Sequence, residues 1–334
     1  MTFTHKLARR LARLRAPVMF ASIALAAACS SGGPTGVDES SSLTNTPTQT
    51  SQPTSAGQPE SSGQPGSSGQ PAPSVAYPNQ PAAFAPIAEN GFDGALPDGG
   101  QSCSDFGILH GCWSRYSSQV NVVQDGSAPQ SPGSALEYTW PAGLPIGTSA
   151  GSVNGWDGSN GGDLSRSEYS QIYESAWFKL EGADFEAPDA GMKLLGFWGV
   201  GQAGDGNRVA NQVYGMIPGG VRSAFTVDIR QQGPVSRSMT PNRNDAPLIV
   251  VGQWTRYEVY MKLNDIGRAN GVLKVWINGK LTHDYSDVTW RTPEAPSGFF
   301  GRRWDPTWGG MGNPSHKTRT DRMLVDHIYI SGAR

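Results

Sequence analysis

The sequence predicts an all-β fold, an antiparallel β-sandwich, in the C-terminal three-quarters of its 334 residues. Apolar and polar residues alternate along 255–263 and again along 272–278. This period of two is expected of strands that place one face on a core. Between the second of these strands and a third, Asn278-Gly279 predicts a type I′ hairpin turn, since both central residues of that turn need positive φ. Short apolar segments separated by Gly- and Pro-rich turns recur, without a convincing amphipathic helix, which is typical of a sandwich.

The first 29 residues read as a targeting segment rather than as part of the fold. A basic stretch is followed by an apolar run, residues 16–28, that is too short to span a bilayer. Residues 25–30, Leu-Ala-Ala-Ala-Cys-Ser, resemble a bacterial lipobox, although the Leu lies four residues before Cys29 rather than three. The resemblance implies lipidation of Cys29 and a lipid anchor in the bacterial cell envelope, at the outer membrane or cell surface. The alternative is an ordinary secretory signal cut near Ala28.

Residues 30–80 predict a disordered linker, and residues 81–334 the folded domain. The linker consists mostly of Ser, Thr, Gly, Pro and Gln, and Ser-Ser-Gly-Gln-Pro occurs at 61–65 and again at 67–71. Such a chain cannot bury enough apolar surface to offset the entropy lost on ordering.

Cys103 and Cys112 remain as a pair if Cys29 is lipidated. In an exported protein such a pair predicts a disulfide, and free thiols are the alternative. Neither these cysteines nor His110 make a metal site, so no metal ligand set is predicted from them.

Another clear strand, Ile172–Leu180, is apolar on both faces and is therefore predicted to be central in its sheet. The apolar segments between turns predict roughly ten to twelve strands in the domain. The other predicted strands are Val120–Val123, Ala135–Trp140, Met192–Val200, Val209–Ile217, Arg222–Arg230 and Met323–Ile330.

The alternation also predicts which side chains point away from the core. If the strands are neighbours in one sheet, these side chains form a concave surface of aromatic, basic and acidic groups. Aromatic faces stack on sugar rings, and guanidinium groups hold carboxylates in bidentate fashion, so the surface suits an acidic polysaccharide. The alternative is a solvated sheet face with cross-strand ion pairs. The predicted outward residues are Arg222, Asp228, Arg230, Arg256, Glu258, Tyr260, Lys262, Lys274 and Trp276.

A family resemblance rests on the Tyr173–Lys179 strand, Trp254-x-x-Tyr257-x-x-Tyr260, Asn270-Gly271-x-x-x-x-Trp276 and Asp326-His327-Ile328-Tyr329. Over about residues 165–332, the chain resembles the concanavalin A-like jelly roll and, within it, bacterial polysaccharide lyases of the alginate and glucuronan type. Arg166-Ser167-Glu168 is similar to the Arg-Ser/Thr-Glu motif of one alginate lyase family, but that family's Gln-Ile-His and Tyr-Phe-Lys-Ala-Gly motifs are missing.

The resemblance implies β-elimination from a uronate polymer. Such a lyase needs a group that neutralises the uronate carboxylate and a base beside the C5 proton. Arg222 or Arg230 is the predicted neutraliser, and Tyr260, Tyr214 or His327 the predicted base. Glycoside hydrolysis on this fold is disfavoured, because no Glu-x-Asp-x-x-Glu strand is present. Substrate binding is assigned to Tyr214, Arg230, Glu258, Lys262, Lys274, Trp276 and Trp304.

For two further residues the sequence leaves two structural roles possible. Trp304 begins an aromatic, Gly-rich loop that either rims the sugar groove or caps the fold. Asp326, in the last strand, is either buried and paired or holds a structural calcium ion. No other cofactor is predicted.

The net charge of −2 and the lack of a basic stripe in the domain give no reason to expect nucleic acid as a partner. The expected partners are an acidic polysaccharide and, through the lipid anchor alone, a membrane, and the expected state is a monomer. The function expected first is a surface-anchored polysaccharide lyase. The alternatives are a non-catalytic, lectin-like glycan-binding module and a structural envelope lipoprotein.

Overall fold

A computed structural model describes residues 77–93, 119–151, 153–157, 169–201, 211–233, 235–310 and 312–334, with only the backbone at 153–157 and 211. The predicted signal peptide and lipidated Cys29, most of the linker, the pair Cys103 and Cys112, and Arg166-Ser167-Glu168 lie outside these ranges. Within them, no helix is both long and apolar enough to cross a membrane.

The described residues form twenty strands and no helix. The strands are β1 Ala85–Asn90, β2 Val120–Asp125, β3 Gly133–Trp140, β4 Thr148–Ser149, β5 Val153–Asp157, β6 Gln171–Glu181, β7 Phe185–Ala187, β8 Met192–Val200, β9 Asn211–Ile217, β10 Gly220–Arg222, β11 Ala224–Phe225, β12 Asp228–Gln232, β13 Arg237–Met239, β14 Ile249–Val250, β15 Thr255–Lys262, β16 Gly271–Ile277, β17 Lys280–Val288, β18 Phe299–Trp304, β19 Thr307–Trp308 and β20 Asp321–Ala333.

Two large antiparallel sheets build the sandwich that the sequence predicts. Sheet 1 has the order β17-β16-β15-β6-β20-β3-β2, with β1 paired to β20. Sheet 2 has the order β13-β12-β9-β8-β18-β5, and β19 joins it beside β8 and β4. Two ribbons, β7 with β10 and β11 with β14, stand outside these sheets. Nearly all the aliphatic side chains of the inner faces are fully buried in one cluster between the sheets.

Most predicted strands are present, and the hairpin is confirmed. Asn278 and Gly279 have φ of 51° and 79°, as a type I′ turn requires. β6 is central in sheet 1, between β15 and β20. The predicted single strand from Arg222 to Arg230 is wrong, because the chain changes partner twice in that stretch and forms β10, β11 and β12.

A buried ion pair ties the two sheets together. Arg302 of β18 donates from Nε and Nη2 to the Glu174 carboxylate of β6, at 2.5 and 2.8 Å, and neither side chain is exposed. The Arg302 guanidinium also stacks over Trp198, and the Trp304 indole N–H donates to Glu174 at 3.0 Å. A buried pair of this kind is tolerated only because hydrogen bonds satisfy its remaining donors and acceptors. It fixes β18, so that the next residue, Arg303, faces outward.

The segment Tyr77–Phe84 lies across the outer face of sheet 1. The Tyr77 ring stacks on Tyr329 at 3.8 Å, and Phe84 contacts Tyr260. Asn79 donates to the carboxylate of Glu258 at 3.1 Å. Residues 77–80, which fall in the predicted linker, are therefore part of the fold. We call Tyr77–Phe84 the strap.

Candidate active site

The predicted sugar-binding surface does not exist as one surface, because its residues lie on different sheets. Arg230 and Asp228 belong to sheet 2, whereas Glu258 and its neighbours on β15 and β16 belong to sheet 1. Arg222 lies on the separate β7–β10 ribbon and is exposed. The premise that these strands are neighbours is wrong, because the β12 strand pairs with β9 and β13 instead.

The strap covers the centre of the sheet 1 face, where two predicted site residues lie. Glu258 is fully buried, and its carboxylate accepts hydrogen bonds from Tyr173 at 2.6 Å and from Asn79. Tyr260, half-buried, donates to Gln171 at 2.6 Å. Both side chains are therefore engaged in holding the strap and sheet together.

His327 fastens the same region. It adopts φ of 51° at an irregularity in β20, where its ring nitrogens lie 2.6 Å from Glu89 and 3.0 Å from the Ser131 hydroxyl. The Tyr77 hydroxyl is 3.0 Å from the same Nε2. Three chain segments thus meet at the His327 imidazole. His327 lies on sheet 1, whereas neither of its predicted arginine partners, Arg222 and Arg230, belongs to that sheet.

The remaining predicted binding residues are scattered. Lys262, Lys274 and Trp276 lie on the outer face of sheet 1 beside the strap, exposed or partly exposed. Trp304 is fully buried between the sheets. Of the two predicted positions of its loop, the rim of a sugar groove is therefore wrong for this side chain, as is its assignment to substrate binding. Its side chain faces inward because it alternates with Arg303, which faces out.

Asp326 is buried and paired, which was one of its two predicted states. Its Oδ2 accepts hydrogen bonds from the backbone amides of Gln130 and Ser131, at 2.8 and 3.2 Å. Burial raises the pKa of this carboxyl. No group of three or more His, Cys, Asp or Glu side chains suited to a metal occurs among the residues the structure describes.

The outer face of sheet 2 carries a row of aromatic and basic side chains. Strand register aligns Arg230 of β12 with Tyr214 of β9, Tyr214 with Phe197 of β8, and Phe197 with Arg303 of β18. Neighbouring strands lie about 4.8 Å apart, so these four residues form one row across the sheet. We call it the Tyr214 row.

Lys193 stands beside this row. Its register partner on β9 is Met216, two residues from Tyr214, and its Nζ lies 5.6 Å from the ring centres of both Tyr214 and Phe197. Burial lowers the pKa of Lys193, while the charge of Asp305 acts in the opposite direction. No carboxylate of the described residues lies within salt-bridge distance of it.

The pKa of Tyr214 shifts in the opposite direction to that of Lys193. Burial raises the pKa of its phenol, and the Arg230 guanidinium partly offsets this effect. No hydrogen bond from another described residue contributes to this shift. At neutral pH the phenol is therefore protonated and available as a donor, next to an amine whose charged form is disfavoured.

Each arginine of the row is paired with an aspartate two residues away on its own chain. Arg230 contacts Asp228 at 3.1 Å, and Arg303 contacts Asp305 at 3.2 Å. The arginine side chains are 39% and 50% exposed, so these pairs are weak and solvent-screened. A substrate carboxylate can displace them.

One end of the Tyr214 row opens into a cavity of about 270 Å³. The described residues around it are polar or aromatic: Tyr214, Arg230, Gln231, Gln232, Ser236, Arg237 and Ser238. This volume is below the range of about 300–1,000 Å³ that is usual for drug-sized ligands, so it suits a single sugar residue.

Sequence reasoning found Tyr214 and Arg230 but missed Lys193, Phe197 and Arg303. Lys193 and Phe197 are the two partly exposed positions with side chains larger than that of Gly in an otherwise buried strand, the third being Gly199. The β8 register shifts between them, where Gly196 has φ of 71° and lies against the Arg303 backbone, and this obscures the alternation. Arg303 follows the buried Arg302, and charge alone does not tell which of the two faces out.

No family model matches the chain, and no curated protein matches its sequence. Among solved structures, an alginate lyase variant in complex with alginate trisaccharide matches at a TM-score of 0.53 and 17% identity, over 75% of this chain and all of that one. A marine alginate lyase from Aplysia kurodai matches at 0.48 and 13%, over 75% and 100%. A glucuronan lyase from Trichoderma reesei matches at 0.44 and 14%, over 66% and 90%. The first likeness establishes that the chain has the jelly-roll sandwich fold of that alginate lyase.

Proposed function

We propose that this protein is a polysaccharide lyase that cleaves a uronate-containing polysaccharide by β-elimination on the outer face of sheet 2. The observation that carries the proposal is the Tyr214 row, with Lys193 beside it. Two arginines, a protonated phenol and a desolvated amine lie together on this face, where Arg303 is exposed and Tyr214 is almost completely buried. The shared fold with an alginate lyase that binds alginate trisaccharide supports the same substrate class.

We propose a role for each group from its position and chemistry. Arg230, the register partner of Tyr214, neutralises the uronate carboxylate and so makes the C5 proton more acidic. Lys193 is the base, since burial lowers its pKa toward the working range. The C5–H electron pair forms the C4=C5 double bond, and the C4–O4 bond breaks. Tyr214 donates its proton to the departing O4, a role that its raised pKa favours.

The test is the ultraviolet absorbance of the unsaturated product. The full chain is incubated with alginate, glucuronan and a neutral glucan, and the same is done with Lys193→Met. We expect absorbance to rise only with the acidic polymers. In Lys193→Met the rate of this rise should be about 10²- to 10⁴-fold lower, as for the loss of a general base.

Lys274→Met is the matched control, because Lys274 lies on the outer face of sheet 1. It should retain wild-type rates. Retention of acidic glycan on an affinity matrix with no absorbance change would instead identify the lectin-like module. An equal loss of rate in both lysine variants would contradict the placement of the site.

We also propose that the N-terminal segment anchors the protein to the cell envelope through a lipid on Cys29. The support is the basic stretch, the short apolar run and the lipobox-like sequence before it. Metabolic labelling with a radioactive fatty acid should mark the wild-type chain and not Cys29→Ser. A labelled Cys29→Ser chain, or an unlabelled wild type released into the medium, would contradict the anchor.

A further inference from the structure

Asp305 directly follows β18 and lies between two of the strand pairings that build the candidate active site. Arg303, two residues before it, is the register partner of Phe197. Thr307, two residues after it, is the register partner of Lys193. The Asp305 carboxylate contacts the outward-facing Arg303 at 3.2 Å, so it lies on the same face as Lys193 and the Tyr214 row.

Both oxygens of this carboxylate have a partner, so its position is fixed. Oδ2 contacts the Arg303 guanidinium, and Oδ1 accepts a hydrogen bond from the Ser149 hydroxyl. The Ser149 oxygen is fixed in turn, since it accepts from the backbone amide of Gly151 at 2.9 Å. The Asp305 side chain is 16% exposed and that of Arg303 is 50% exposed. Ser149 therefore still holds the carboxylate when Arg303 turns towards a substrate.

Lys193 has no counter-charge in direct contact within the part of the chain that the structure describes. Its Nζ lies over two aromatic rings instead. The charge of Asp305 opposes the effect of burial on the pKa of this amine. The described charged or titratable groups around it on this face come from β9, from β12 and from the end of β18, while β19 offers none: Tyr214, Asp228, Arg230, Arg303 and Asp305.

The proposed reaction turns this amine into a cation. When Lys193 accepts the C5 proton, an ammonium forms at a partly buried position, where a charge is poorly solvated. A carboxylate fixed near this position lowers the free energy of the ammonium and of the transition state that leads to it. Because Asp305 is held in place before the reaction begins, this stabilisation needs no rearrangement.

We propose that Asp305 is a positioning residue of the candidate active site, whose carboxylate orients Arg303 and stabilises the ammonium form of Lys193. The inference rests on the proposed lyase function and adds a residue that touches neither the substrate nor the reacting atoms. It also distinguishes two similar carboxylates. Asp228 is paired with Arg230 in the same way and is 15% exposed, but it does not contribute to the pKa shift of Lys193.

The first measurement is the titration of Lys193 itself, without substrate. The full chain and its variants are labelled with acetic anhydride over a series of pH values, and mass spectrometry gives the extent of labelling at Lys193. Removing a negative charge destabilises the ammonium, so Asp305→Asn should move this titration to lower pH. Asp228→Asn is the matched control and should move it less. An unmoved titration in Asp305→Asn, or equal shifts in the two variants, would overturn the inference.

Two further variants separate the charge of Asp305 from its shape. Asp305→Glu keeps the negative charge and should move the titration less than Asp305→Asn does, and an equal shift would contradict a role for the charge. Asp305→Ser removes the charge with a smaller side chain and should move the titration in the same direction as Asp305→Asn, so the inference does not depend on one folded variant. Thermal unfolding shows that each variant is folded at the labelling temperature.

The second measurement is the pH dependence of kcat/KM on the best acidic polymer. The neutral amine is the active base, so the rate rises with pH through the pKa of Lys193. In Asp305→Asn this rise should begin at lower pH, because the amine loses its proton more easily. The plateau should be lower, because the base is weaker and Arg303 has lost its partner. A rate lowered equally at every pH would reduce Asp305 to a structural role and overturn the inference.

The outcomes distinguish this inference from the proposed function. A titration of Lys193 that moves in Asp305→Asn, together with no unsaturated product from the wild type, would leave the link between the two residues standing and refute the lyase. Unsaturated product from the wild type, together with an unmoved titration in Asp305→Asn, would refute the role of Asp305 alone.

Discussion

The outer faces of the two sheets carry similar residues and differ in what covers them. On sheet 1, Tyr260 and Glu258 form hydrogen bonds beneath or beside the strap, and Glu258 has no exposed surface. On sheet 2, no hydrogen bond contributes to the pKa shift of Tyr214, and Arg230 has a partly exposed ion pair with Asp228. Residue types alone therefore do not identify a glycan-binding face. What differs is the strap, which contacts Glu258 and Tyr329 on the outer face of sheet 1.

The largest expected effect is on activity and compares the two tyrosines. Tyr214→Phe removes the proposed acid and should lower kcat/KM on the best acidic polymer by about 10²- to 10⁴-fold. Tyr260→Phe removes a hydrogen bond to Gln171 on the other sheet and should leave kcat/KM within about twofold. Steady-state absorbance assays measure both, and the reverse ranking would place the chemistry on sheet 1.

The next effect is on stability and concerns the layer beneath the Tyr214 row. Arg302→Met leaves Glu174 buried without its partner, which should lower the free energy of unfolding by about 3–5 kcal/mol. The double variant Arg302→Met/Glu174→Leu removes both charges and should recover much of this loss. Denaturant unfolding gives the values. A single variant as stable as the wild type would show that the pair does not tie the sheets.

A pH dependence of stability follows from His283, which is buried on β17 of sheet 1. Burial lowers its pKa from 6.5 to about 4. The unfolded chain binds a proton at this residue below pH 6.5, whereas the folded chain does so only below about 4. Stability should therefore fall as the pH falls through this window, by about 3 kcal/mol. His283→Asn should remove that part of the slope, and an identical slope in both proteins would contradict the assignment.

The smallest effect concerns the strap itself. Tyr77→Ala removes the ring stacked on Tyr329 and the hydroxyl bonded to Glu89 at 2.8 Å, which should cost about 1–2 kcal/mol of stability. Because the strap lies on sheet 1, kcat/KM should be unchanged at a temperature where the variant is folded. Thermal unfolding and the absorbance assay together check this, and a loss of activity without a loss of stability would give the strap a part in the site.

The fold was largely predictable from sequence, because alternation and turn chemistry are local signals. The three strands from Thr255 to Val288 and the Asn278-Gly279 turn are confirmed. The site was only half predictable. Tyr214 and Arg230 of the candidate site were among the predicted residues, but the strand pairing that aligns them with Phe197 and Arg303 joins residues distant along the chain. Alternation predicts which side chains share a face within a strand, and not which strands share a sheet.

The most direct test of the account is a crystal structure of the Lys193→Met variant with a uronate trisaccharide. The account predicts sugar residues lying across the Tyr214 row on the outer face of sheet 2. One carboxylate should contact Arg230, and the Tyr214 hydroxyl should lie within hydrogen-bond distance of a glycosidic oxygen. Sugar bound instead on the outer face of sheet 1, beside Trp276 and Lys274, would contradict it.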